Sequence, residues 1–169
     1  RLVELAQELA KRGRRDILFV IAGDMNLNGR LPGKLGEVGA KGGTLEDYAA
    51  RQGVANYFLF LGHVGEPERV ILGCDLLAKL TREANPWGRD IIEALSLGRP
   101  VVTLGTWDKL VEHRHTGILL PDYDRQTVLK EILRLADDRN LCRRLGDAGR
   151  ERIATLCNGP ERAAQLVDV

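Results

Sequence analysis

Cysteine is scarce in this chain and carries no pattern. Cys74, Cys142 and Cys157 are odd in number, widely spaced and match no zinc motif, so a reducing compartment is the expectation. Histidine is equally sparse. His113 and His115 stand two apart, which places them on different faces of any helix. No protein-bound metal is expected. No run approaches the roughly 20 apolar residues of a membrane span. The opening "RLVELAQELAKRG" is broken by Glu and Gln and reads as an amphipathic helix, not a signal peptide. Excess charge is lacking as well: a net charge of +1 gives no basic surplus to release counterions, so no nucleic-acid partner is expected. The local cluster "KRGRR", Lys11 to Arg15, reads as a solvated helix end.

What is present suits a globular α/β domain. At 169 residues the chain can bury a sizeable core, and 44% hydrophobic with 29% charged residues is a soluble profile. Residues 1–169 are therefore expected to form a single domain. Helical periodicity in Leu2, Leu5, Ala6 and Leu9 ends at Gly13. "DILFVIAG" (Asp16 to Gly23) is an apolar run of the kind found in strands covered on both faces. Residues 24–43 are Gly-rich and too long for an ordinary connection, hence an expected mobile insertion loop of irregular structure. Thr44 with Asp47 resembles a capping box opening a helix to about Gln52. "YFLFLG", "DLLAKL", "RPVVTLG" and "TGILLP" supply four further strands. Short helices are expected from Pro67 and over "KLVEH", and long ones after the N-cap Asp124. Apolar strands alternating with helices predict a doubly wound, Rossmann-like parallel sheet with helices on both faces.

In such sheets ligands lie beyond the carboxyl ends of the strands. That directs attention to Gly23-Asp24, to Gly62-His63-Val64 and to Thr81 through Gly88. Asp24 suits a cap of the turn that follows. A helix beginning near Gly88 exposes unpaired N–H groups and a positive dipole end, each anion contact there contributing roughly 0.3–2 kcal/mol. Gly88 permits close approach of a ligand to the backbone. Glu93, one and a half turns further on, has a carboxylate suited to two vicinal ribose hydroxyls, or simply to solvating the helix. Phosphate at the helix start and ribose at the acid together describe a nucleotide.

Several ordered pieces carry a resemblance: "LFVIAGD", "FLFLGHV", "PWGRDIIEALSLGRPVV", "HTGILLP" and "LGDAGRERI". From about Asp16 to Ala164 the chain resembles the C-terminal, donor-binding domain of a family-4 glycosyltransferase with the GT-B fold. The resemblance implies a retaining glycosyltransferase of the group 1 type, transferring a hexosyl unit from a nucleotide sugar to a glycan or lipid acceptor. No cofactor is implied beyond that donor substrate, and catalysis would be metal-independent. In the family a Glu-x7-Glu motif crosses the strand-to-helix turn. Glu93 falls on the second acid, the ribose ligand. The strict count places Asn85 at the first, sugar-facing position; Glu83 takes it if the turn holds two extra residues. An amide at that position hydrogen-bonds sugar hydroxyls without carrying charge.

The resemblance also assigns Gly88-Arg89 to the diphosphate, Trp87 to a wall of the sugar pocket, and the His63-Val64 turn to the base. Arg89 and Trp87 also fit a plain surface arginine and a core aromatic, and His63 a loop histidine without a role. After the fourth strand the family's Gly-Gly pair and acid are replaced by "LGTWDKLVE", which keeps Gly105 but places Thr106, Trp107, Asp108 and Lys109 where the rest would fall. The family's diphosphate-binding Arg and Lys would lie upstream of Arg1. The chain is therefore expected to be part of a two-domain protein, inactive by itself, with an N-terminal GT-B domain as its missing partner. The complete protein is expected in the cytoplasm, with peripheral association at the inner membrane face. A non-catalytic nucleotide-sugar binding or interaction module with a degenerate site is the alternative, supported by Asn85 and the altered "GTWDK" loop.

Overall fold

The computed structural model describes residues 1–27 and 31–167. Of the expected 24–43 insertion, residues 28–30 lie outside the described residues. The chain forms two compact units, Arg1–Pro67 and Glu68–Val169. Each is α/β, and among the described residues the three pairings between strands are all parallel.

The first unit opens with α1 (Leu2–Lys11), which buries Val3, Leu5, Ala6 and Leu9 along one stripe. Lys11 pairs with Glu8, and the Arg14 guanidinium grips Asp16 through two hydrogen bonds of 2.8 Å. That grip holds the Asp16 carboxyl down at about 2. These two members of the Lys11–Arg15 cluster thus have partners within the unit. β1 (Phe19–Ala22) pairs with β2 (Phe58–Gly62), Phe19 opposite Phe58 and Ile21 opposite Phe60. On one face the rings of Phe19, Phe58 and Phe60 stack at centroid spacings of 5.4 and 5.5 Å. On the other, Leu59 and Leu61 remain 45% and 38% exposed, so these strands are not covered on both faces as their apolar runs suggest.

The Gly-rich stretch is not wholly irregular either. It contains α2 (Lys34–Gly39), on which Val38 is buried. α3 (Leu45–Arg51) begins at the expected capping box. Thr44 Oγ1 accepts from the Asp47 amide, and Asp47 Oδ2 accepts from the Thr44 amide at 2.8 Å. The amide bond from Thr44, then its hydroxyl, lowers the Asp47 pKa.

The second unit follows α4 (Pro67–Gly73) with β3 (Leu77–Lys79), α5 (Arg89–Ser96), β4 (Val101–Leu104) and β5 (Gly117–Leu120). Helices α6 (Arg125–Asp137), α7 (Arg139–Leu156) and α8 (Gly159–Val167) complete it. β4 is the central strand, buried along its whole length between β3 and β5. The Asp124 carboxylate caps α6 by accepting from the Thr127 amide at 2.7 Å, and the Thr127 hydroxyl, then that amide, lowers its pKa. Asp138 caps α7 in the same way through Leu141. The core gathers Ile91, Ala94 and Leu95 from α5 with Val101, Leu110, Val111 and Ile153.

Two glycines set how closely α7 approaches α5. A Cβ on Gly146 would stand 2.0 Å from the Gly98 carbonyl oxygen; one on Gly149 would meet Leu95 Cδ2 at 2.6 Å. Three residues apart, they give α7 a smooth strip over the α5 C-terminus and the entry to β4. The expected helix over "KLVEH" does not form. Leu110 and Val111 are both buried as neighbours, and the Thr116 hydroxyl accepts from the Glu112 amide at 2.9 Å. That hydroxyl takes up the amide a helical turn would use.

Gly146→Ala should lower stability by about 1–3 kcal/mol through overpacking, although alanine is the better helix former by about 1 kcal/mol. Urea unfolding of the two proteins measures the sign directly, and a more stable variant would show that the strip is not close-packed.

Candidate functional site

Each strand end that the sequence singles out is a glycine-assisted turn. After β1, Gly23 takes φ 130° and its amide donates to the Gly62 carbonyl at 2.7 Å. Asp24 then caps the turn as expected, accepting from the Asn26 amide at 2.9 Å and its side chain at 2.7 Å. His63 and Val64 follow β2 in the first unit, His63 exposed and Val64 half-buried. The remaining expected site residues all belong to the second unit.

There the organising group is a lysine. Lys79 ends β3, and its Nζ donates to the Trp87 carbonyl at 2.7 Å and pairs with Asp90 Oδ1 at 2.8 Å. Its side chain is only 15% exposed, so the ammonium ties the strand end to the first turn of α5. Gly88, the N-cap, sits between these groups with φ 137°. A Cβ there would fall 2.7 Å from both Lys79 Nζ and Asp90 Oδ1. Those contacts are with the ends of two flexible side chains, so it is the φ of 137° that requires glycine here before any ligand is considered.

Upstream, the turn is held by short polar bonds. The Asn85 amide donates to Thr81 Oγ1 at 3.2 Å, and Asn85 Oδ1 accepts from the Trp87 amide at 3.3 Å. This Asx-type turn fixes the chain direction into α5. Ala84 takes φ 47°, an unusual conformation for a residue with a Cβ. Glu83 is exposed. On α5 itself Arg89 Nε donates to Glu93 Oε1, one turn along, and this bond raises the Arg89 pKa. The residue expected at ribose and the residue expected at phosphate therefore hold each other. Arg89 is exposed and Glu93 about a quarter exposed, so the pair can be exchanged for a ligand at little cost.

Gly105 follows β4 with φ 130° and is buried. A Cβ there would strike the Ala84 carbonyl at 2.6 Å and Pro86 Cδ at 2.7 Å. Its role is close approach: it lets the β3–α5 turn rest on the end of β4. The segment after it is clamped from α7. Arg152 donates to the Lys109 carbonyl at 2.9 Å and the Asp108 carbonyl at 3.2 Å, and its Nη1 pairs with Glu112.

Together these contacts open one cleft of about 860 Å³. Trp87, Gly88 and Arg89 line it from one segment; Thr106, Trp107 and Leu110 line it from the other. Asn85, Glu93 and Gly105 are not among its lining residues. Neither Lys79 nor Arg152 stands out as a site residue before the fold is known. A lone cation in "DLLAKL" was the available signal for the first, whereas Arg152 lies 43 residues from one of the carbonyls it holds. Elsewhere in the unit, burial raises the thiol pKa values of Cys74 and Cys142. Among the described residues no helix is long and apolar enough to cross a membrane.

A family model described as glycosyl transferases group 1 matches residues 1–152. The chain is 33% identical over 147 residues to the alpha-D-kanosaminyltransferase of Streptomyces kanamyceticus, covering 86% of this chain and 34% of that protein. It thus spans about a third of the length of that curated relative. Among solved structures, HepE of Anabaena in complex with UDP is 19% identical, covering 98% of this chain and 53% of its own, with a TM-score of 0.69. WaaG, a glycosyltransferase involved in lipopolysaccharide biosynthesis, is 18% identical, covering 97% of this chain and 41% of its own, with a TM-score of 0.71. At these identities the likeness shows the fold, the α/β architecture of GT-B glycosyltransferase domains.

Lys79→Met should cost about 1–3 kcal/mol in urea unfolding, because it leaves the Trp87 carbonyl and Asp90 without their charged donor. Arg152→Ala should instead loosen the Trp107 segment, read as greater acrylamide quenching in a protein that carries Trp107 as its single tryptophan; unchanged quenching would deny the clamp.

Proposed function

The chain belongs to the group 1 glycosyl transferases, and on that footing we propose that it is the donor nucleotide-sugar-binding part of a retaining glycosyltransferase. The observation that carries this reading is the β3–α5 turn. It brings a glycine N-cap, Arg89 and Glu93 onto one short helix start, beside a cleft large enough for a sugar. The solved relative HepE binds UDP, which supports a nucleoside diphosphate as the common element of the ligand.

In the proposed complex the diphosphate meets the free amides at Gly88-Arg89 and the Arg89 guanidinium. Arg89 then releases Glu93, whose carboxylate accepts from the ribose hydroxyls. Asn85 offers its amide to hydroxyls of the transferred hexosyl unit. Charge develops on the sugar ring and on the departing diphosphate, so the contribution of these groups is electrostatic preorganisation. No metal or cofactor enters this proposal; cationic side chains and the helix start neutralise the phosphates. The acceptor, a glycan or lipid, the activity of the complete protein, its N-terminal domain, and its cytoplasmic or membrane-peripheral placement belong to the same proposal.

One observation favours a second reading. Asn85 Oδ1 is already engaged by the Trp87 amide, and the residue has no charge to offer the reacting sugar. A binding module without transfer activity accommodates both facts. Robust sugar transfer by the complete protein would eliminate it.

Glu93→Ala should weaken binding of nucleoside diphosphates, measured by calorimetry, by roughly 1.5–3 kcal/mol, the worth of a hydrogen bond to a charged group. Equal affinity in the variant would remove Glu93 from the site.

A further inference from the structure

The helix start proposed to receive a diphosphate carries an acid of its own. Asp90 lies in the first turn of α5, directly after Arg89, and its side chain is 46% exposed. The helix dipole favours a carboxylate there while nothing is bound. The same negative charge opposes any anion that approaches the Gly88 and Arg89 amides. Asp90 differs from an ordinary helix-start acid in having a cation supplied by another element. Its Oδ1 accepts from Lys79 Nζ at 2.8 Å, and Lys79 is the last residue of β3. That ammonium is anchored a second time, by donating to the Trp87 carbonyl at 2.7 Å. Arg89, the neighbouring cation, is engaged by Glu93 instead.

With Lys79 in place the pair is neutral, and a phosphate meets the helix start without a net negative neighbour. Without it, a bare carboxylate would stand one residue beyond the amides that are to hold the anion. Like charges a few ångströms apart repel strongly at a partly desolvated turn. Extending the donor-binding reading, on which this step rests, we infer that Lys79 is a positioning residue for the donor diphosphate. It acts through Asp90, cancelling that carboxylate's charge and holding its Oδ1 to the end of β3. Neither Lys79 nor Asp90 lines the cleft, so the pair acts on the ligand by charge. The effect grows with the charge of the ligand, which makes the helix start selective for a diphosphate over a monophosphate of the same nucleoside.

Two substitutions with effects of opposite sign test the inference. Calorimetry with UDP and with GDP compares the unaltered chain with Lys79→Met, Asp90→Asn and the double variant. For the base that is accepted, Asp90→Asn should tighten binding about tenfold, because the Lys79 charge is then uncompensated. Lys79→Met should weaken it about tenfold, and the double variant should return to within about threefold of the unaltered chain. Both shifts should shrink as NaCl rises from about 0.05 to about 0.5 M, and both should be smaller for the nucleoside monophosphate. A purely structural tie gives another pattern, in which either single substitution weakens binding and the double variant recovers nothing. Should Lys79→Met fail to fold, Asp90→Asn decides alone, since no structural role makes its loss tighten binding. Unchanged or weaker binding by Asp90→Asn overturns the inference while leaving the donor-binding reading intact. Failure of the unaltered chain to bind either GDP or UDP overturns both.

Discussion

The geometry of the β3–α5 junction depends on one half-buried lysine. Lys79 Nζ reaches the Trp87 carbonyl and the Asp90 carboxylate at once, and in doing so fixes the end of β3 against the first turn of α5. Asn85, Gly88, Arg89 and Glu93, all assigned to the ligand, lie within a few residues of that junction. A cation in this place has two effects. It satisfies polar groups at a helix start that would otherwise face the sheet, and it adds positive charge where an anion is proposed to bind. Gly88 is the conformational complement, because its φ of 137° disfavours any residue with a side chain.

The same logic of close approach recurs around the cleft. Gly105 lets the β3–α5 turn rest on the end of β4, and Gly146 with Gly149 lets α7 lie against α5. Once α7 is that near, Arg152 can span to the backbone after β4 and hold it by carbonyls rather than by side chains. The cleft is therefore formed by backbone placement, while its lining is free to vary in chemistry. That separation of scaffold from lining is how one fold serves many donors.

Much of this was legible in the sequence. The five strands stand out as apolar runs, and Thr44 and Asp124 announce their caps because capping is local. The Gly88-to-Glu93 spacing is local as well, since it depends only on helical pitch. What escaped reading was non-local. An apolar run does not reveal whether one or two faces are covered, so the exposure of Leu59 and Leu61 was not foreseen. "KLVEH" has helical composition, yet a hydroxyl four residues beyond Glu112 takes the amide that a helix needs. Lys79 in a strand and Arg152 in a distant helix acquire meaning only when the fold brings their partners to them. The intramolecular use of Asn85 Oδ1 and of Glu93 was hidden for the same reason.

The central claim is that a nucleoside diphosphate docks at the β3–α5 turn by exchanging places with an internal ion pair. A crystal structure of the chain with a bound nucleoside diphosphate tests it most directly. The account predicts phosphate oxygens within hydrogen-bond distance of the Gly88 and Arg89 amides, Arg89 turned from Glu93 to phosphate, and Glu93 on the ribose hydroxyls. A nucleotide bound elsewhere, with the Arg89–Glu93 pair intact, would contradict it.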